Sequence, residues 1–148
     1  MHIAIATDQG GFNLKGKIVE HLVAQGHQVS DLGIHELKSI DYPDIAESVA
    51  RTVASGEVER GIIICATGIG VSMVANKVRG IRAALCTDPY MARMAREHND
   101  AQVLCMGGRV IGVGLALEIV DAFLAAKAQG GRHARRVNKI NALDEKGG

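Results

Sequence analysis

Cys65 closes the run Gly61-Ile-Ile-Ile-Cys65, and Ala66-Thr67-Gly68-Ile69-Gly70 follows at once. A cysteine ending an apolar strand has two readings. It is a small apolar filler, or, where a helix opens near Gly68, a sulfur whose thiolate form the helix amides and dipole favour. The glycine loop is either a tight turn or a set of exposed amides able to hold an anion or a developing oxyanion. Cys86 and Cys105 have no such loop and read as fillers. Asp8, ahead of Gln9-Gly10-Gly11, caps the next helix or accepts a hydrogen bond from a sugar hydroxyl. His98, before Asn99-Asp100, satisfies terminal carbonyls or shuttles a proton. In Gly131-Arg132-His133-Ala134-Arg135-Arg136, Arg132 and Arg136 share a face if the segment is helical. That face is solvated, or it is a guanidinium clamp for one phosphate. His2, His21, His27 and His35 have no comparable setting.

Several chemistries are disfavoured by spacing. Gly68 and Gly70 match the first two positions of a dinucleotide fingerprint, but Met73 stands where its third small residue is wanted, and no Walker lysine pattern exists. A thiol phosphatase wants arginine six residues after its cysteine, where this chain has Val71.

These residues need elements to position them. Residues 3–7 read as a buried strand ending at Asp8, and 12–24 as a helix with apolar Leu14, Ile18, Val19, Leu22 and Val23, stopping at Gly26. A weaker strand follows over 27–32, then a loop over 33–39. Pro43 opens a helix that ends near Gly56. Residues 61–65 form a strand, 71–78 a helix, 82–86 a strand, 89–98 a helix and 103–106 a strand. An apolar stripe through Val113, Leu117, Val120 and Leu124 predicts a helix up to Gly130-Gly131. The last helix starts at about 131, with a disordered tail over 144–148. Strands alternating with helices imply an α/β, Rossmann-like three-layer sandwich with a five-stranded parallel sheet and helices on both faces. In the common strand order, ligands sit between strands one and three, the two that end in glycine loops.

Composition narrows the function classes. The chain has 148 residues, 47% hydrophobic and 22% charged, a length expected for a single domain over 1–148. Seventeen basic and sixteen acidic side chains leave +1, too little for nonspecific binding to nucleic acid or an anionic membrane. No stretch approaches the roughly 20 apolar residues of a membrane span, and no signal-type leader opens the chain. A cytoplasmic protein is expected. Three cysteines without CxxC or zinc spacing imply reduced thiols and no structural metal.

Taken together, Ile64-Cys65-Ala-Thr67-Gly-Ile-Gly70-Val-Ser72 with Ala75-Asn76-Lys77, then Glu97-His98-Asn99-Asp100, then Gly130-Gly131-Arg132-His133 with Arg136 resemble the ribose-5-phosphate isomerase B family. That family also includes the galactose-6-phosphate isomerase subunits. The resemblance runs from Ile3 to about Ile140. It implies a cofactor-free, metal-free aldose–ketose isomerase of a sugar phosphate, most simply ribose 5-phosphate. It also implies a homodimer or homotetramer with active sites at subunit interfaces. By position, Cys65 matches the base that moves a proton between C1 and C2. The loop Thr67, Gly68, Ile69, Gly70, Val71 and Ser72 matches the enediolate pocket. Asp8 and His98 match residues that assist ring opening, Tyr42 and Asn99 line the sugar site, and Arg132 and Arg136 bind phosphate, with Arg109 a further contact in some members. One departure is Gln9, where the family usually has histidine; an amide cannot carry charge. Another four- to six-carbon aldose phosphate therefore stays open as substrate. So does a catalytically silent sugar-phosphate-binding domain, while a nucleotide-binding oxidoreductase is disfavoured by the broken fingerprint.

Overall fold

The structure, a computed structural model, describes residues 1–147. Five strands, β1 (His2–Thr7), β2 (Gln28–Asp31), β3 (Arg60–Cys65), β4 (Ala83–Leu85) and β5 (Val103–Gly107), form one parallel sheet in the order β2-β1-β3-β5-β4. Among the described residues six α-helices connect or flank them, α1 (Phe12–Ala24), α2 (Tyr42–Ala54), α3 (Ile69–Ala75), α4 (Pro89–Asn99), α5 (Val113–Ala125) and α6 (Arg132–Glu145), and a 3-10 turn (Gln9–Gly11) leads into α1. The α/β sandwich expected from the alternation is present.

Alternating side chains on the central strands fill two cores. Ile3, Ile5, Ile62, Ile64, Leu104 and Met106 face α1, α4 and α5. On the opposite face Ala4, Ala6, Ile63, Cys65 and Cys105 meet α2 and α3. Crossovers that move rightward along the sheet (β2 to β3, β3 to β4) carry α2 and α3. Those that move leftward (β1 to β2, β4 to β5) carry α1 and α4. This division is what a single hand of crossover requires. It leaves β3 leading to one face while its neighbours β1 and β5 lead to the other, so a crevice opens at the end of β3 on both sides.

Three loops meet in that crevice at backbone distance. A methyl at Gly10 would stand 2.6 Å from the Ala66 nitrogen, and one at Gly107 would stand 2.6 Å from the Thr67 carbonyl oxygen. The Gly108 and Arg109 amides donate to the Cys65 and Ala66 carbonyls at 2.8 and 3.1 Å.

Element ends depart from the sequence reading in three places. Helix α3 runs over Ile69–Ala75 rather than 71–78, because the Asn76 side chain leaves the helix to pair with both the amide and the carbonyl of Ala83, at 2.8 and 2.9 Å. Helix α5 stops at Ala125, short of Gly130-Gly131: Ala126 is extended, and Gln129 is drawn to Glu97 by backbone and side-chain bonds of 2.9 and 2.8 Å. The expected disordered tail is corrected at Asp144 and Glu145, which belong to α6. There Asp144 Oδ2 accepts from the Gly80 amide at 2.8 Å and Glu145 pairs with Arg79. Gly148 lies outside the described residues. No helix among the described residues is long and apolar enough to cross a membrane.

Gly107→Ala forces the β5 loop off Thr67. We expect a loss of about 1–3 kcal/mol in stability, the usual cost of overpacking, read as a lower urea midpoint.

Candidate functional site

At the carboxyl end of β3, Cys65 is 6% exposed and its Sγ accepts the Gly68 N–H at 3.1 Å. Gly68 turns the chain at φ +82°, a conformation that only glycine adopts without strain, and this turn aims its amide back at the sulfur. The next amide, of Ile69, donates to Thr67 Oγ1 at 3.1 Å, and Ser72 Oγ donates to the Ile69 carbonyl at 2.7 Å. The Gly70 and Val71 amides, in the first turn of α3, have no acceptor among the described residues. The ring of Tyr42 lies against Gly70, where an added methyl would stand 2.5 Å from its Cε1.

Across the crevice, Asp8 is also nearly buried. Its Oδ1 accepts the Gly10 N–H at 2.8 Å, and its backbone amide donates to the Ile64 carbonyl at 3.4 Å. Asp8 therefore caps the short 3-10 turn Gln9–Gly11 and not α1, whose own N-cap is Gly11 without a side-chain bond; the second Asp8 oxygen has no partner among the described residues. Gln9 Oε1 accepts the Ile40 N–H at 3.3 Å, tying the 33–41 loop to the end of β1. A cavity of about 570 Å³ opens beside this point, lined by Gln9, Gly10, Phe12, Lys38 and Arg109 among others. It carries two cations and no carboxylate, and it adjoins the sulfur's loop rather than enclosing the sulfur.

The other two cysteines behave as fillers. Burial pushes the Cys86 thiol up to about 12, with Asp88 adding to it, and burial likewise raises Cys105, helped by Cys65 and Cys86. All three thiols are free.

The remaining sequence-predicted residues lie elsewhere. His98 and Asn99 end α4, just before β5 begins at Val103 opposite Gly61, whereas Cys65 pairs with Gly107 at the far end of the same strands. Four residues of strand separate these ends by about 13 Å. Arg132 and Arg136, exposed on α6, stay at the His98 end because α6 packs on α4. Within one chain, therefore, Asp8, Gln9, Tyr42, Cys65, the 67–72 loop and Arg109 gather at one pole. His98, Asn99, Arg132 and Arg136 gather at the other.

Sequence reading missed what organises the second pole. Arg82 donates to the carbonyls of Asn99 and Asp100 at 2.9 and 2.8 Å and to Asn141 Oδ1 at 2.6 Å, linking the end of α4 to α6. Arg96 holds Asp100 Oδ1 at 2.8 Å, and Asp100 itself sits at φ +46°. The rings of His98 and His133 stack with centroids 4.1 Å apart and planes 4° from parallel. The His133 imidazole is held below the ordinary histidine range by loss of hydration first, then by His98, Arg132 and Arg136, with Glu97 opposing. No periodicity marks Arg82 or His133, because their partners are distant in sequence.

Comparison with known proteins adds the following. Residues 3–140 match the Ribose/Galactose Isomerase family. The chain is 50% identical over 144 residues to ribose-5-phosphate isomerase B of Escherichia coli, covering 97% of each. It is 45% identical to D-erythrulose-4-phosphate isomerase of Pectobacterium atrosepticum, over 95% of this chain and 93% of that one. The solved structure of Clostridium thermocellum ribose-5-phosphate isomerase B superposes with a TM-score of 0.98 at 55% identity, covering both chains completely. With the fold, the glycine loops and the sulfur already placed, these similarities make the chain a member of the ribose/galactose isomerase family and an aldose–ketose isomerase.

Proposed function

We propose that this enzyme interconverts ribose 5-phosphate and ribulose 5-phosphate by proton transfer through an enediolate, with Cys65 as the base. The observation that carries this reading is the placement of the Cys65 sulfur, fixed by the Gly68 N–H beside the two unpaired amides of Gly70 and Val71. In its thiolate form Cys65 takes the C2 proton of the open-chain aldose. The C2–H electron pair forms the C1=C2 bond, and the charge moves to O1, where the free amides stabilise it. A proton passes from O2 to O1, the Cys65 thiol returns its proton to C1, and C2=O forms. Asp8 is the weaker candidate for this base, since Oδ1 is committed to Gly10.

Ring opening precedes this step. The O1 proton leaves as the C1–O4 bond breaks, and a proton is delivered to O4. Asp8, through its free oxygen, and His98 share these two transfers. Because His98 stands at the opposite pole from Cys65, the His98 involved comes from a second copy, which also brings Asn99 to the sugar and Arg132 and Arg136 to the phosphate. Thr67, Ser72 and Tyr42 shape the sugar pocket, and Gln9 and Arg109 stand at its cavity side. Exposed apolar side chains at both poles support pairing: Tyr42, Ile69 and Met73 (63% exposed) around the sulfur loop, and Ile140 and Leu143 beside Arg136 on α6. A two-fold dimer that lays one copy's α6 pole on the other's α3 buries both patches and completes two sites.

A four-carbon aldose phosphate is the second reading. Gln9 and the relative that acts on D-erythrulose 4-phosphate favour it. A tetrose 4-phosphate has no ring to open, since O4 carries the phosphate.

Cys65→Ala should fold normally and lose turnover by about 100- to 10,000-fold. Mixing it with a His98→Asn variant, itself slowed on ribose 5-phosphate, should restore about a quarter of the sites to full activity on that substrate, because each hybrid dimer holds one intact pair; no recovery after subunit exchange refutes the shared site. Arg136→Ala should raise KM for ribose 5-phosphate about tenfold or more, matching a charge-assisted bond of roughly 1.5–3 kcal/mol, and leave phosphate-free ribose unaffected. Across a panel of four- to six-carbon aldose phosphates, the highest kcat/KM on ribose 5-phosphate is expected. His98→Asn should slow that substrate while sparing erythrose 4-phosphate.

A further inference from the structure

We infer that His133 is the positioning residue for His98: its ring, stacked on the His98 imidazole, sets the plane in which His98 exchanges protons during ring opening. This rests on the ring-opening assignment of His98 above. Neither ring nitrogen of His98 has a hydrogen-bond partner among the described residues, so the usual device for orienting a catalytic histidine, a carboxylate or carbonyl on its second nitrogen, is missing. Glu97, the adjacent carboxylate, is engaged by Gln129 at 2.8 Å. What holds the imidazole is a face, 4.1 Å away and within 4° of parallel. A stacked face restricts rotation of the ring and leaves both nitrogens at its edge free for substrate.

The stacking ring also sits in the turn of α6 that carries Arg132 and Arg136. A phosphate drawn in by those arginines fixes the N-terminal turn of α6, and with it the ring against which His98 lies. Binding of the remote phosphate and orientation of the ring-opening group thereby become one event, the kind of coupling through which binding energy serves the reacting end of a substrate. Stacking is favoured by a neutral His133, the form that loss of hydration first, and then His98, Arg132 and Arg136 against Glu97, promote.

The test uses His133→Ala and His133→Phe in the full chain. Two rates are compared: net turnover of ribose 5-phosphate, which must open its ring, and solvent deuterium exchange into C1 of ribulose 5-phosphate. The ketose cannot close a five-membered ring because O5 carries the phosphate. For His133→Ala we expect turnover to fall about tenfold or more while exchange stays within about twofold. For His133→Phe, a flat face without a titratable nitrogen, we expect turnover to return to within about threefold of the parent. Unchanged turnover in His133→Ala overturns the inference. So does a Phe variant as slow as the Ala one, which makes a ring nitrogen the active feature, and so does a parallel loss of exchange, which places the defect in α6 as a whole. Absence of exchange in the parent enzyme itself fails the ribose 5-phosphate reading and removes this inference with it, an outcome separable from the other three because the variants play no part in it.

Discussion

Backbone meets backbone at the carboxyl ends of β1, β3 and β5, and the chemistry of the site follows from how little room is left there. Gly10 lies against Ala66 and Gly107 against Thr67, at separations that an added methyl would violate. Two hydrogen bonds, donated by the Gly108 and Arg109 amides, then fasten the segment after β5 to the carbonyls of Cys65 and Ala66. A sulfur on a loop so confined has few positions available. The left-handed turn at Gly68 supplies one more restraint by directing an N–H at it. Rigid placement of this kind is worth more to proton transfer than any single added contact, since the reacting atoms must be within van der Waals reach before basicity matters.

The same crossover rule that opens the crevice also divides the functional residues. A helix that leaves the top of one parallel strand must descend the length of the sheet to reach the bottom of the next. Residues at the end of α4 are therefore delivered to the pole opposite Cys65. Helix α6 reinforces this by docking on α4 through Arg82, Asn141 and the His98–His133 stack. The proposal of a shared site follows from that geometry: with one pole holding the proposed base and oxyanion donors and the other holding histidine, asparagine and arginines, two copies related by a two-fold axis would complete each other.

Much of this was legible in the sequence because it depends on local rules. The run Gly61-Ile-Ile-Ile-Cys65 is the strongest β signal in the chain, and the glycines after it announce a turn into a helix. Periodic apolar residues located α1, α2 and α4 closely. Failures came where a tertiary contact competes with periodicity. Asn76 ends α3 by pairing with β4, Gln129 pulls the chain away from α5 toward Glu97, and Gly80 and Arg79 hold the end of α6 in place. None of these pairings leaves a mark in residue spacing.

Taken alone, the amino-acid sequence determined the layer architecture, the identity of the strand that ends in the cysteine and glycine loop, and the residue types available for chemistry, because backbone conformation and apolar periodicity act over a few residues. Only the tertiary structure decided the strand order, the commitment of one Asp8 oxygen to a cap, the ring against which His98 rests, and the separation of Cys65 from His98 and the arginines. Those depend on where distant segments land when the sheet is assembled, and crossover handedness and side-chain packing act only at that stage.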